Sequence, residues 1–283
     1  MSAHLKSYAK LNLTLDIKGA EGGYHILDSI VTTIDLSDTI HLKKRKDSLV
    51  TVAMHGRGSE SLPYESNNAV IAAQRYIDKF GCHGVDITIY KNIPVGAGLG
   101  GSSADAAGVL RGMSKLYGFG SERELKELAD SLGSDSGYLL TGGFARLHGR
   151  GDIIEKLEYH HRLHFLVLVP PQGVSTPECY SMYDKLSVQP ANTTQAAVGA
   201  LESNDIHALG RAMNNDLYAP AALINPDVRT ACEELLEFSP LGVTVTGAGS
   251  AVFALFENAE FCTWAQSRYR GKFECIHVKS VKF

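Results

Sequence analysis

The sequence predicts an α+β protein of two domains, and three observations support that prediction. Strand and helix patterns are mixed along the chain without regular βαβ alternation. A strand pattern, a glycine-rich loop and a helix pattern follow one another directly within residues 85–117. The length of 283 residues exceeds the usual size of one domain and falls short of three. We place the N-terminal domain at residues 1–157 and the C-terminal domain at residues 158–283.

Composition and charge exclude several classes of protein. Apolar residues make up 44% and charged residues 20% of the chain, as in globular proteins that bury a full core. The net charge of -4 offers no general attraction to nucleic acid. The five cysteines are scattered and form no Cys-x-x-Cys pair, which argues against a disulfide framework or a thiolate metal site. Since the sequence also lacks a signal peptide and a membrane span, we predict a cytoplasmic protein with neither nucleic-acid nor membrane partners.

Strand patterns dominate the N-terminal part of the chain. Residues 7–17 alternate polar and apolar side chains, which predicts one half-buried strand with Lys10, Asn12, Thr14 and Asp16 on the same face. Three further strands are predicted at residues 30–36, 39–42 and 49–54. Asn67 and Asn68 can then cap a helix that extends to Phe80.

The remaining elements alternate less regularly. Strands are predicted at residues 85–89, 163–169, 243–249 and 252–256. Helices are predicted at residues 106–117, 122–132, 196–212 and 228–238. The glycine-containing segment 133–137 is predicted to be a turn.

The glycine-rich loop is the most informative segment of the sequence. Glycines allow backbone N–H groups to approach a phosphate closely, and the helix that follows adds the positive end of its dipole. The predicted phosphate-binding loop comprises Pro94, Val95, Gly96, Ala97, Gly98, Leu99, Gly100, Gly101, Ser102, Ser103 and Ala104.

Two other nucleotide motifs fit this loop less well, and a merely tight turn stays open. Gly96, Gly98 and Gly101 match the dinucleotide fingerprint, but Pro94 separates them from the strand, and helical sequence stands where a second strand should end in an acid. The P-loop pattern requires a lysine at the position of Ser102. Any lysine that neutralises phosphate must therefore come from elsewhere in the chain.

The loop, from Pro94 to Ala104, resembles the phosphate loop of the GHMP kinases, which phosphorylate small alcohols. Two further motifs of that family occur in the same order, at residues 9–13 and 246–253. The resemblance therefore extends over almost the whole chain. It implies the two-domain GHMP kinase fold, with an N-terminal ribosomal protein S5 domain 2-like domain and a C-terminal ferredoxin-like α/β-sandwich domain. It also implies ATP and Mg²⁺ as cofactors.

Within that family, the sequence is similar to the branch that acts on a cytidine diphosphate-linked polyol. The segments that carry this similarity are residues 9–13, 23–25, 132–135 and 174–180. The implied reaction is phosphorylation of the 2-hydroxyl of 4-diphosphocytidyl-2-C-methylerythritol, a step of the non-mevalonate isoprenoid route. The chain departs from the pattern of this branch at Ser136-Gly137 and in an insertion-like segment, residues 142–151.

The resemblance also assigns the catalytic residues. It implies that Asp135 accepts the proton of the substrate hydroxyl and that Lys10 holds the same hydroxyl and offsets developing charge. From the residues alone, Asp135 would more often be a turn or cap residue and Lys10 a surface lysine. The hydroxyls of Ser102 and Ser103 are the candidate contacts for phosphate or Mg²⁺.

The remaining site residues follow from the same resemblance. Those assigned to the substrate are Asn12, Tyr24, His25, Thr176 and Tyr180, although Tyr180 could also be a core aromatic of a helix. Those assigned to the adenine side of ATP are Asn68 and Lys91. A second glycine turn, which would approach the phosphates, comprises Gly247, Ala248, Gly249 and Ser250.

Two alternative functions stay open from the sequence. The chain could be a GHMP kinase for another small alcohol, such as homoserine, a mevalonate-type acid or a sugar. It could also be a non-catalytic protein of the same fold that senses nucleotide and ligand. Loss of Lys10 or Asp135 would favour the sensor, and both residues are present.

Overall fold

The structure, a computed structural model, describes residues 1–59 and 67–281, which form ten helices and twelve strands. The strands are β1 Ser2–Asn12, β2 Thr14–Glu21, β3 Tyr24–Lys44, β4 Val50–Gly56, β5 Val85–Lys91, β6 Phe144–Gly149, β7 Ile153–Leu157, β8 His164–Val169, β9 Asn214–Asn215, β10 Gly242–Val245, β11 Val252–Phe256 and β12 Glu274–Lys279. The helices are α1 Asn68–Phe80, α2 Gly101–Tyr117, α3 Glu122–Asp130, α4 Ser134–Thr141, α5 Thr176–Leu186, α6 Thr194–Glu202, α7 Ile206–Ala212, α8 Tyr218–Ile224, α9 Asp227–Leu236 and α10 Ala259–Arg268. The predicted α+β class is confirmed.

The chain divides into two compact units. The first unit contains Met1–Ala9, Leu36–Val95 and Gly100–Gly142. The second unit contains Lys10–Asp35, Gly96–Leu99 and Gly143–Phe283. The predicted domain boundary after residue 157 stays a prediction.

The first unit positions the start of α2, where the glycine loop ends. Strand β5 pairs antiparallel with β3 and parallel with β4. Apolar side chains of α1, α2 and these strands form a buried core. The predicted helix cap is confirmed, because the side chain of Asn67 accepts a hydrogen bond from the N–H of Ala69 at 2.9 Å. These contacts hold α2 against the sheet along its apolar side.

The second unit contains a four-stranded antiparallel sheet in the order β10-β11-β8-β12. The chain enters it through β8, returns through helices to the β10-β11 hairpin, and closes through α10 and β12. This connectivity is the predicted ferredoxin-like arrangement. Its core is formed by apolar side chains of the sheet and of α5, α8, α9 and α10. Across the described residues, no helix combines the length and apolarity needed to cross a membrane.

The strand predicted over residues 7–17 is wrong in two respects. The segment forms two strands, β1 and β2, which are interrupted by a bend at Leu13. It is also buried on both faces, since every residue from Ala9 to Ile17 is buried. Alternation predicted a solvent-facing side because polar side chains occupy it, but hydrogen bonds satisfy several of them inside the protein.

Three other local predictions need correction. Residues 30–36 and 39–42 belong to one continuous strand, β3. The predicted turn at 133–137 is the beginning of a helix, α4, and the predicted helix at 196–212 is divided into α6 and α7. Asp205 explains that division, because its side chain caps α7 by accepting a hydrogen bond from the N–H of Ala208 at 2.8 Å. The insertion-like segment 142–151 contains β6, which pairs with β3 and β7.

Candidate active site

The middle of the glycine loop is fixed through its carbonyl groups. Three successive carbonyls accept hydrogen bonds from residues of the same unit, far away in the sequence. The donors are the N–H of Ala251 to Ala97, the hydroxyl of Thr246 to Gly98 and the N–H of Lys10 to Leu99, at 3.1, 3.3 and 3.0 Å. Because the carbonyls face the protein, the loop has a fixed orientation.

The N–H groups of the same stretch are available to an anion. Within the parts of the chain that the structure describes, the N–H groups of residues 96–99 donate to no other residue. In the first unit, α2 begins at Gly101 and its first N–H groups are open at the positive end of the helix dipole. Both features are those of phosphate-binding backbone.

The second glycine turn packs directly on this loop. Gly98 has a φ of +77°, and a Cβ atom at this position would lie 2.1 Å from the carbonyl oxygen of Thr246 and 3.0 Å from that of Gly249. The backbone of the turn occupies the space that any side chain would need. The loop therefore requires glycine at position 98 for both conformation and space.

We expect Gly98→Ala to destabilise the protein much more than Gly96→Ala. Gly96 also has a positive φ, +70°, but a Cβ there would meet only the Cα of Gly173 at 3.9 Å. The backbone strain costs about 1 kcal/mol in both variants, whereas the overlap with Thr246 should raise the cost at position 98 to about 3 kcal/mol or more. Urea unfolding of both variants measures the difference. Equal midpoints would contradict the close packing of loop and turn.

Lys10 lies in the second unit beside the second glycine turn. The residue is 4% exposed, so its alternative interpretation as a surface lysine is wrong. Its Nζ donates to Oδ1 of Asn12 at 2.5 Å, and the same oxygen accepts the N–H of Gly247 at 3.0 Å. The amide nitrogen of Asn12 donates to Ser29 at 2.9 Å. The structure thus brings the predicted catalytic lysine, the predicted polyol contact and the second glycine turn into one cluster.

Asp135 lies in the first unit, in the first turn of α4. A Cβ atom on Gly133, two residues earlier, would lie 4.0 Å from the hydroxyl of Ser103. The start of α4 therefore approaches the start of α2, where Ser102 is exposed and Ser103 is partly exposed. Within this unit, the structure brings the helix start that carries the predicted aspartate close to Ser103.

Three residues of α5 surround the side chain of His25 in the second unit. The ring of His25 stacks on that of Tyr180 with centroids 4.7 Å apart, and Tyr183 meets it edge-on at 5.8 Å. Nε2 of His25 lies 2.7 Å from Oδ1 of Asp184. Because a carboxylate only accepts hydrogen bonds, Nε2 is the donor in this contact.

The neighbouring aromatic residue is open to solvent. Tyr24 is 53% exposed, and the guanidinium of Arg150 lies 3.5 Å from its ring centroid. A cavity of about 400 Å³ opens beside His25 and Asp184. Thr176 is the exposed first residue of α5, one helical turn before Tyr180. The predicted substrate residues of this region, apart from Asn12, therefore lie on one hairpin and one helix.

Sequence reasoning missed Asp184 and Tyr183 because it gave α5 no bounds, and it missed Arg150, which lies in the turn after β6. In a helix, residues three and four positions after Tyr180 share its face, so recognition of α5 would have identified the first two. The predicted adenine-side residues lie in the first unit, with Asn68 at the start of α1 and Lys91 at the end of β5. The ammonium of Lys91 is bonded to two carboxylates. The adenine-side roles stay predictions.

Family models match both parts of the chain. The model of the GHMP kinases N terminal domain matches residues 67–145, which include the glycine loop and Asp135. The model of the GHMP kinases C terminal domain matches residues 197–261, which include the second glycine turn.

Relatives and solved structures point to the same group of proteins. A 4-diphosphocytidyl-2-C-methyl-D-erythritol kinase of Caldicellulosiruptor saccharolyticus is 37% identical, over 90% of this chain and 88% of its own length. One of Clostridium tetani is 36% identical, over 98% of this chain and 99% of its own. A crystal structure of 4-(cytidine 5'-diphospho)-2C-methyl-D-erythritol kinase superposes with a TM-score of 0.82 at 28% identity and covers 99% of this chain and 100% of its own.

A more distant solved structure shares the fold alone. The homoserine kinase of Cytophaga hutchinsonii superposes with a TM-score of 0.74 at 18% identity and covers 98% of this chain and 94% of its own.

Proposed function

The chain belongs to the GHMP kinase family, and on this premise we propose that it phosphorylates the 2-hydroxyl of 4-diphosphocytidyl-2-C-methyl-D-erythritol. The enzyme is an ATP-dependent kinase with an alcohol as acceptor. The structural observation that carries the proposal is the anchored glycine loop, whose carbonyls are occupied and whose N–H groups are open. In the cytoplasm, the product would enter the non-mevalonate route to isoprenoid precursors.

The phosphoryl transfer needs one group that accepts a proton and one cation, both near the 2-hydroxyl of the substrate. The 2-hydroxyl oxygen attacks the γ-phosphorus, the new O–P bond forms, and the bond from that phosphorus to the β,γ-bridging oxygen breaks, which releases ADP. We assign the hydroxyl proton to Asp135 and the stabilisation of the oxygen to the ammonium of Lys10. The hydrogen bond from Lys10 to Asn12, at 2.5 Å, limits where that ammonium can lie.

ATP would be held by backbone rather than by a phosphate-binding lysine in the loop. The open N–H groups of residues 96–99 and the start of α2 suit the triphosphate. Among the described residues, no group of three or more His, Cys, Asp or Glu could hold a metal ion. We propose that Mg²⁺ would be held by phosphate oxygens together with a hydroxyl of Ser102 or Ser103, where it would neutralise phosphate charge.

The cytidyl group fits the surroundings of His25. With Nε2 directed at Asp184, the Nδ1 atom of a neutral His25 ring would accept a hydrogen bond from the exocyclic amino group of cytosine. Tyr24 offers an exposed aromatic face for a base. A hydrogen-bond acceptor at this position discriminates against uracil, because uracil has a carbonyl oxygen where cytosine has the amino group.

An ADP-release assay over several alcohols tests this function. We expect turnover with ATP and the cytidyl substrate to exceed that with homoserine, mevalonate or galactose by about 100-fold or more in kcat/KM. Reactions without an acceptor provide the control for ATP hydrolysis, and ³¹P NMR identifies the phosphorylated product.

Two other results would change the assignment. Efficient turnover of another alcohol, without turnover of the cytidyl substrate, would retain the family and remove the proposed acceptor. Tight binding of ATP and the cytidyl substrate without any phosphoryl transfer would instead support a non-catalytic sensor.

A further inference from the structure

Three charged side chains are buried together at the start of α2 in the first unit. They belong to Asp38, Lys91 and Asp105, which we call the buried triad, and are 0, 3 and 4% exposed. The Nζ of Lys91 donates to the carboxylate of Asp38 and, at 2.7 Å, to Oδ2 of Asp105. The phosphoryl transfer proposed above gives none of them a role.

The buried triad joins the chain segments on either side of the glycine loop. Oδ1 of Asp38 accepts the N–H groups of Asn92 at 2.5 Å and Ile93 at 2.8 Å, in the segment that leads from β5 into the loop. Asp105 lies one turn into α2, the helix that leaves the loop. A Cβ atom at Gly101 would lie only 3.5 Å from the Nζ of Lys91. The ammonium therefore lies directly against the first residue of that helix.

The charges of the buried triad argue for a geometric role. Burial would lower the pKa of Lys91, but Asp105 and Asp38 outweigh it and raise the pKa, so the side chain is an ammonium. Burial raises the pKa of Asp105 despite the opposing charge of Lys91. Because Asp38 balances Lys91, the cluster is neutral or negative and has no net attraction for phosphate.

Stability alone does not explain these three residues. A buried ion pair often contributes no more than an apolar replacement of the same volume. Among the described residues, Oδ1 of Asp105 has no hydrogen-bond partner although it is buried. Such an unsatisfied buried group destabilises the folded state. The buried triad therefore lowers the stability of the folded protein in a way that a cluster of apolar side chains would avoid.

We infer that Asp38, Lys91 and Asp105 are positioning residues that hold both ends of the glycine loop in its triphosphate-binding geometry. The inference rests on the proposed function, because it requires the loop to bind ATP. Lys91 then acts through the loop backbone, which differs from its predicted contact on the adenine side. Displacement of the loop should weaken ATP binding and leave binding of the alcohol unchanged.

The test compares the KM values for the two substrates in Lys91→Met, Asp38→Asn and Asp105→Leu. We expect the KM for ATP to rise by about 10-fold to 100-fold in each, since small displacements of positioned groups have effects of this size. The KM for the cytidyl substrate should stay within about twofold, because, among the described residues, those proposed to hold the cytidyl group lie on β3 and α5 and have no bond to the buried triad. Asp105→Asn should restore most of the ATP affinity, because its amide oxygen can still accept from Lys91.

Arg111→Met provides the control for a purely structural effect. Arg111 lies farther along α2, is half-buried, and donates to the carbonyl of Lys6 at 3.0 Å. Its loss should lower the unfolding midpoint while the KM for ATP stays unchanged.

The possible results separate the inference from the proposed function. An unchanged KM for ATP in folded Lys91→Met, or an equal rise for both substrates, would overturn the inference. If Lys91→Met does not fold, the same criteria apply to Asp38→Asn and Asp105→Leu. A wild-type enzyme that uses no ATP would overturn the proposed function as well, whereas an active wild type with unaffected variants would overturn the positioning role alone.

Discussion

Asp135→Asn should lower kcat by about 10³-fold, within the range that a lost general base produces. Asparagine preserves the size of the side chain at the start of α4 but cannot accept the hydroxyl proton. Nucleotide binding should be retained, because the loop backbone and α2 are unaltered. Steady-state kinetics measures the loss, and calorimetric titration with ADP measures nucleotide affinity.

Asp130→Asn is the matched control for this change. Asp130 belongs to the same unit, on α3, and forms a surface ion pair with Lys126 at 2.6 Å. The same chemical substitution there should leave kcat within about twofold, because surface ion pairs contribute little. Near-normal turnover in Asp135→Asn would remove that residue from the mechanism, and loss of ADP affinity would indicate a structural defect instead.

Lys10→Met should lower kcat by about 10²-fold to 10³-fold, as expected when one preorganised donor to a developing charge is removed. Methionine fills a similar volume but carries no charge. In this variant, Oδ1 of Asn12 still accepts the hydrogen bond from the N–H of Gly247. Because Lys10 is buried, circular dichroism and an unfolding curve must accompany the kinetics. The prediction concerns the turnover of the folded enzyme.

Lys272→Met controls for loss of a lysine in the second unit. Lys272 pairs with Asp227 at 2.6 Å, and its side chain is 61% exposed. Its removal should change neither kcat nor the unfolding midpoint appreciably. If Lys10→Met folds and retains more than about a tenth of the wild-type kcat, the expected charge stabilisation is absent.

Local patterns in the sequence were sufficient for several elements. The period of residues 85–89 predicted β5, and the apolar spacing after the glycine loop predicted α2. Asn67 was correctly predicted as a helix cap because an N-cap hydrogen bond involves only neighbouring residues. The glycine spacing also predicted a phosphate loop, since the requirement for backbone approach resides in the loop itself, and its phosphate-binding role stays a prediction.

Other features were missed because their signals were short or conflicting. Helix α4 has eight residues, and its N-cap Gly133 and first residues Ser134 and Asp135 are of types that favour turns. The polar face of residues 10–16 predicted exposure, although tertiary partners bury it. Local patterns describe propensity, and in these segments tertiary contacts override it.

By itself, the sequence determined the α+β class, the glycine loop, the succession of strand, loop and helix, and the resemblance to small-molecule kinases. Only the tertiary structure decided which groups meet: Thr246 with Gly98, Asp184 with His25, and Asp38 with Lys91. These partners are 148, 159 and 53 residues apart. The spacing of apolar residues within one segment cannot predict contacts over such sequence separations, because side-chain contacts between remote segments arise from packing of the whole core.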